Sequence, residues 1–287
     1  MFLLLLTSSL TVAQKTTNPL KVQFVTADIT NFWTALDSLE KAPRGNPFDQ
    51  LYIKKGSPGL IDFIPARIKG ADSLLSMVLR NKSKYLEQKE NSLNYINYQK
   101  QCQATFLALK YLYPEAVFPP VYFVIGRFNS GGHSAKSGLI IGAEMNRADR
   151  VPYLVAHELI HFQQDSITAI QNNLLAGCIN EGTAEFLCEL ISGGGLNKKT
   201  HEYGNANEEK LWKEFQQIMY DKEDNHDWMY NYQPKNGYPP DLGYWIGYKI
   251  VGAFYNKSAD KQKAIKEILH IQDYRKFLKD SGYAPGN

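Results

Sequence analysis

Two histidines four residues apart, His157 and His161, enclose a glutamate in the stretch VPYLVAHELIHFQQ at 151–164. Residues i and i+4 share one face of a helix, one turn apart. On a helix, both imidazoles reach one ion at the roughly 2.0–2.1 Å of a Zn–N bond. Glu158 lies about 100° further round the same helix. That is too far for a third ligand, yet close enough to touch a water bound to the ion. A zinc that does chemistry keeps three protein ligands and one open position, so a further ligand is needed downstream. The segment CINEGTAEFLCEL supplies Glu181, after nineteen residues counted from His161. Glu185 is four further on and shares its face, beside Ala184, Phe186 and Leu187. Paired carboxylates on an otherwise apolar helix do not read as a solvated face. Glu185 is placed to accept the Nδ1–H of a ligating histidine and fix its tautomer. The bland alternative is a helix face that happens to carry two imidazoles, and the matched glutamates weigh against it.

These residues need two helices and something to hold them together. Residues 22–26 (VQFVT) read as a short strand. Asp28 is placed to cap a helix in which Ile29, Phe32, Leu36 and Leu39 fall at helical spacing. Pro43 to Pro47 is a turn-rich break, and a helical pattern runs from Gly59 to Tyr113, closed by Pro114. The strand-like part is PPVYFVIGRFNSGGHSAKSGLIIGAEM. Val121 to Ile125 and Leu139 to Ile141 are rich in β-branched and aromatic residues, with a Gly, Ser and Asn loop between them. Gly138 to Ala143 is expected to form the sheet edge ahead of the histidine helix. Asp149 is a candidate cap for that helix, and Pro152 falls in its first turn, where a missing N–H does no harm. Helical patterns resume at 180–192, 206–220, 242–256 and 259–280. The expectation is an α+β fold, zincin-like and mostly helical, with a small sheet packed on the histidine helix. It forms one domain over 14–287: a helical part at about 22–115, sheet and ligand helices at about 116–195, and a helical part at about 196–287.

Composition bounds the function classes. The chain has 287 residues, 44% hydrophobic and 21% charged, with a formal net charge of +3. That charge is small and its lysines are dispersed, so nucleic acid is not an expected partner. Three cysteines, Cys102, Cys178 and Cys188, are too few for a disulfide framework and read as small buried side chains. The opening MFLLLLTSSLTVAQ has the length of a signal peptide and is too short to span a bilayer. Thr11-Val12-Ala13 supplies a small-x-small cleavage pattern, so residues 1–13 are expected to be removed and the protein exported, periplasmic or extracellular. No cysteine lies near that cleavage point, so a lipid anchor there is not expected.

His157-Glu158-Leu159-Ile160-His161 followed by Asn180-Glu181 resembles the gluzincin group of zinc metallopeptidases, with the spacing of its thermolysin-like branch. The run Asn180-Glu181-Gly182-Thr183-Ala184-Glu185-Phe186 is also similar to a bacterial family of Zn-dependent proteases, domain-of-unknown-function family 2268 and its relatives. The resemblance implies one Zn²⁺ on His157, His161 and Glu181, and hydrolysis of a peptide or protein substrate. In that chemistry the ion polarises the carbonyl and Glu158 serves as general base and acid. It also implies a Tyr or His donor to the oxyanion. Candidates are Tyr248 and Tyr244, which share a face in PPDLGYWIGYKIV, with His226 and His201 as outsiders. Gly243 and Gly247 would let that helix approach the ligand helix closely. His133, in SGGHS, could line the cleft. GAEMN at 142–146 resembles the element by which gluzincin aminopeptidases hold a free amine. Its Glu and Met are transposed, so Glu144 should turn away from the cleft, and exopeptidase activity is not expected. The competing expectation is a catalytically silent envelope protein that keeps the scaffold for binding or assembly. Some relatives of that family are linked to surface motility apparatus.

Overall fold

The described residues form four strands, β1 (Phe24–Val25), β2 (Val121–Val124), β3 (Gly132–Ser134) and β4 (Leu139–Gly142), of which β1, β2 and β4 are built mostly from β-branched, aliphatic and aromatic residues. They form one sheet in the order β1-β2-β4-β3. The computed structural model describes residues 14–286, apart from 40, 42, 43, 223, 224, 232, 235 and 236. The expected signal peptide at 1–13, and Pro43 of the expected break, lie outside the described residues. β1, β2 and β4 run parallel. Every residue of β2 and β4 is buried, which suits parallel strands covered on both faces. β3 is antiparallel to β4, with His133 opposite Ile140.

The sheet differs from expectation in one respect that matters for the site. The Gly, Ser and Asn segment expected as loop contains β3, and β3 is the edge. The strand at 138–143 is therefore interior. Three residues of β3 are too few, and too rich in Gly and Ser, to show a strand signal in sequence.

The helical pattern before the sheet resolves into α1 (Ala27–Leu39), α2 (Pro47–Leu51), α3 (Pro58–Phe63), α4 (Ala71–Arg80), α5 (Lys82–Glu87), α6 (Lys89–Leu93) and α7 (Gln99–Leu112). Asn46 and Ser57 cap α2 and α3, each with proline following. Asp28 does not cap α1. It lies inside the first turn, fully buried, and accepts from the Ser57 N–H and hydroxyl. A carboxylate that stitches two helix starts together is more useful there than a local cap, because a buried charge needs partners.

After the sheet come α8 (Val151–Gln163) and α9 (Leu174–Ser192). Then follow α10 (Lys198–Ala206), α11 (Glu208–Ile218), α12 (Leu242–Lys257), α13 (Lys261–Leu269) and α14 (Tyr274–Ser281). The patterns expected as single helices at 206–220 and 259–280 are shifted or split. Asp260 and Asp273 each cap a new helix, and a cap ends one amphipathic run by starting another. Pro152 sits in the first turn of α8 as expected. Asp149 does not cap α8, because its carboxylate is paired with the Arg147 guanidinium at 2.8 Å. α8 packs on β3 and β4, and α9 packs on both α8 and α12. The fold is thus α+β and mostly helical. Among the described residues, no helix is long and apolar enough to cross a membrane.

Glu144, just past β4, is a buried acid in this frame, 3% exposed. Its Oε1 accepts from the Phe128 N–H, while its Oε2 has no hydrogen-bond partner among the described residues. Burial raises its pKa from 4.5 to about 7, against the backbone N–H bonds that lower it. The folded protein therefore favours the neutral acid. The associated stability is fully present below the unfolded value near 4.5 and is lost as pH rises through about 7. The shift corresponds to on the order of 3 kcal/mol. Glu144→Gln, which mimics the neutral acid, should flatten that dependence and raise Tm at pH 8 while changing little at pH 4.5. Identical pH profiles of Tm in the two proteins would refute this account.

Candidate metal centre

α8 presents His157 and His161 on one face, and α9 brings Glu181 against them. Their donor atoms lie within 4.8 Å of one another. His161 Nε2 is 3.1 Å from His157 Nε2 and 3.0 Å from Glu181 Oε2, and His157 Nε2 is 3.4 Å from the same oxygen. Ligands placed tetrahedrally at 2.0–2.1 Å from one ion stand about 3.3–3.4 Å apart. Two imidazole nitrogens and a carboxylate oxygen already at that spacing fit Zn²⁺ in size and in donor chemistry. Glu181 was expected at the start of its helix. It lies two turns in instead, because α9 begins at Leu174 with Asn173 accepting from the Ala176 N–H.

The surroundings hold these side chains in place. Glu185 Oε1 is 3.6 Å from His157 Nδ1 and accepts from Asn197 Nδ2 at 3.0 Å. His157 Nδ1 is buried and has no hydrogen-bond partner among the described residues, so a small closure would let it donate to Glu185 as ligating histidines do. On the other ring, His161 Nδ1 meets Gln164 Oε1 at 2.7 Å, and Gln164 in turn donates to the Asn180 carbonyl. Gln164 escaped notice in the sequence, although it follows His161 by one helical turn.

Burial works against charge on His161, but the Glu181 carboxylate outweighs it and lifts the imidazole to about 9. Burial likewise pushes Glu181 up, and the charged His161 with the bonds from both histidines overcomes it, holding that carboxyl far below the usual range. Both shifts describe one coupled pair. Burial raises Glu158, with His161 and His157 acting the other way. Glu158 is 8% exposed, and a Cβ on Gly132 would fall 2.4 Å from its Oε1. The edge strand must lack a side chain there for the carboxylate to fit.

The centre lines a cleft of about 1090 Å³, with His133, Met145, Asn146, Glu158 and Glu185 on its walls. Glu144 is not on that wall, as the alternation of strand faces predicts. Tyr244 does line the cleft, and its ring stacks on His157 with centroids 6.2 Å apart and planes at 11°. Burial and the neighbouring Glu181 carboxylate push its hydroxyl pKa well above the usual value. Tyr248 is not brought to the centre. It packs on Phe186 and His201, with ring centroids 5.3 and 4.7 Å apart. The two tyrosines part because α9 and α12 touch between them. Gly247 stands so near that a Cβ would lie 1.7 Å from the Cys178 carbonyl oxygen. His201 lies behind Glu185, 3.7 Å from its Oε2. His226 is outside the cleft, with Nε2 2.6 Å from Asp221. Tyr230 was missed by sequence reasoning. Its hydroxyl donates to Glu181 Oε1 at 3.1 Å. It comes from an irregular segment with no periodicity to read, so only the tertiary structure reveals it.

Residues 151–285, a little under half of the chain, match the family model described as gliding motility protein GldB. The matched stretch opens at the first residue of α8 and contains all three donors, Glu158, Glu185 and both cleft tyrosines. No curated protein and no solved structure matches the chain. This corrects the resemblance to zinc peptidases, since the matching family is a motility protein and no protease family matches. The expectations of a hydrolase, a metalloprotease and an enzymatic function fall with it. The physical reason lies in the motif. His-Glu-x-x-His with a distant Glu specifies how two helices offer donors to an ion, and that geometry is the same whether or not a water on the ion is put to use.

Proposed function

We propose that this chain is an exported, envelope-associated protein with a binding or assembly role in a surface-motility apparatus, organised around a zinc centre. The observation that carries the reading is the match of 151–285 to gliding motility protein GldB, because that stretch holds the whole centre. The apolar run MFLLLLTSSLTVAQ supports export to a periplasmic or extracellular site. The partner is a protein of the same envelope, held in the cleft beside the centre, and the modest charge of +3 supports no role in nucleic-acid binding.

In this reading Zn²⁺ is held by His157, His161 and Glu181, and its contribution is cohesion. It ties α8 to α9 and fixes the cleft walls. Metal binding of this kind is also folding free energy, because the unfolded chain has no preformed site. Glu158 shapes the wall against Gly132. The test is Glu158→Gln in a gliding bacterium that lacks its own GldB and receives this chain instead. The variant should keep one zinc per chain and restore spreading as fully as the unaltered protein. Zinc retained with spreading abolished would sink the reading, as would failure of the unaltered chain to restore any spreading.

A further inference from the structure

We infer that Tyr230 is a positioning residue that keeps Glu181 to a single donor oxygen and so reserves an open position on the ion for an anionic group from outside the chain. The inference rests on the metal centre proposed above. Glu181 turns Oε2 to both histidines, at 3.0 and 3.4 Å, while its Oε1 accepts the Tyr230 hydroxyl at 3.1 Å. A carboxylate free at both oxygens can close on an ion with two. One whose second oxygen is engaged by a charge-assisted hydrogen bond resists that closure. Three protein donors then leave a tetrahedral ion one position short, and the centre faces a cleft of about 1090 Å³. A doubly charged ion with one ligating carboxylate retains positive charge, which favours an anion there.

The strap that carries Tyr230 is built to place this hydroxyl. Trp228 and Met229 are buried at 2% and 3% exposure, whereas Tyr230 is 61% exposed. The Gly243 N–H donates to the Trp228 carbonyl, and the Met229 sulfur lies 3.6 Å from Cys178 Sγ, on the helix of Glu181. Tyr230 itself has φ of 57°, in the left-handed region. Such a conformation is strained in a residue other than glycine and persists where its surroundings enforce it. The ring stands edge-on to Tyr244, with centroids 6.4 Å apart, and the hydroxyl at its end meets Glu181.

The test uses full-length protein loaded with cobalt(II), whose visible absorption reports coordination number, and azide as the anionic probe. Tyr230→Phe removes the hydroxyl and keeps the exposed ring. It should keep one cobalt per chain, change the visible spectrum before any azide is added, and bind azide at least about tenfold more weakly, the lower range for loss of such a supporting contact. If the hydroxyl were only a structural tie, Tm would fall while spectrum and azide affinity stayed as in the unaltered protein, and the inference would be overturned. Absence of cobalt uptake by the unaltered protein would instead refute the metal centre itself.

Discussion

His157→Ala should empty the centre, taking zinc from one ion per chain to none and removing the effect of metal on stability. The distances explain why the loss is complete rather than graded. His157 Nε2 and His161 Nε2 stand 3.1 Å apart over one Glu181 oxygen, so deleting one imidazole leaves two protein donors, fewer than the three such a centre needs. A ligand at a thousand times its dissociation constant stabilises the folded state by about 4 kcal/mol. For a chain of this size that is a shift in Tm of roughly 10 °C. The unaltered protein should therefore lose about that much on treatment with a chelator. His157→Ala should start near the chelated value and respond to neither zinc nor chelator. Zinc content and chelator response unchanged in His157→Ala would place the ion elsewhere and remove the zinc centre from the proposed function.

The second large effect is expected where α9 and α12 touch. Gly247→Ala adds a Cβ that would lie 1.7 Å from the Cys178 carbonyl oxygen, and a Cβ on Gly182 would lie 2.1 Å from the Gly247 carbonyl carbon. These obstacles are backbone, which cannot rotate aside. α9 and α12 must separate, and overpacking of this kind costs about 3 kcal/mol or more. Glu181 is the residue before Gly182 on the moving helix, so metal affinity should fall together with stability. Gly252→Ala is the control in the same helix. Its Cβ would meet the edge of the Phe186 ring at 3.3 Å, a side chain that can yield, and alanine favours the helix by about 1 kcal/mol. It should leave Tm within a few degrees. A Gly247→Ala variant as stable as Gly252→Ala would show that the two helices do not approach as closely as described.

What the sequence determined by itself is confined to single elements. The pairing of His157 with His161, and of Glu181 with Glu185, follows from 3.6 residues per turn, and so does the place of Pro152 in its helix. The α+β class was legible from β-branched runs at 121–125 and 139–141 between long helical patterns. The glycines at 243 and 247 announced a close helix contact. What the tertiary structure decided was every relation between elements. It made β3 rather than β4 the sheet edge, split the helical pattern at 259–280 before Asp273, and turned Tyr244 to the cleft and Tyr248 away from it. It also brought Tyr230 to Glu181 from a strap in the left-handed region. The reason is that helical and strand periods say which face a residue occupies on its own element. Where that face points depends on packing between residues far apart in the chain, such as Gly247 against Cys178, and no local period encodes that.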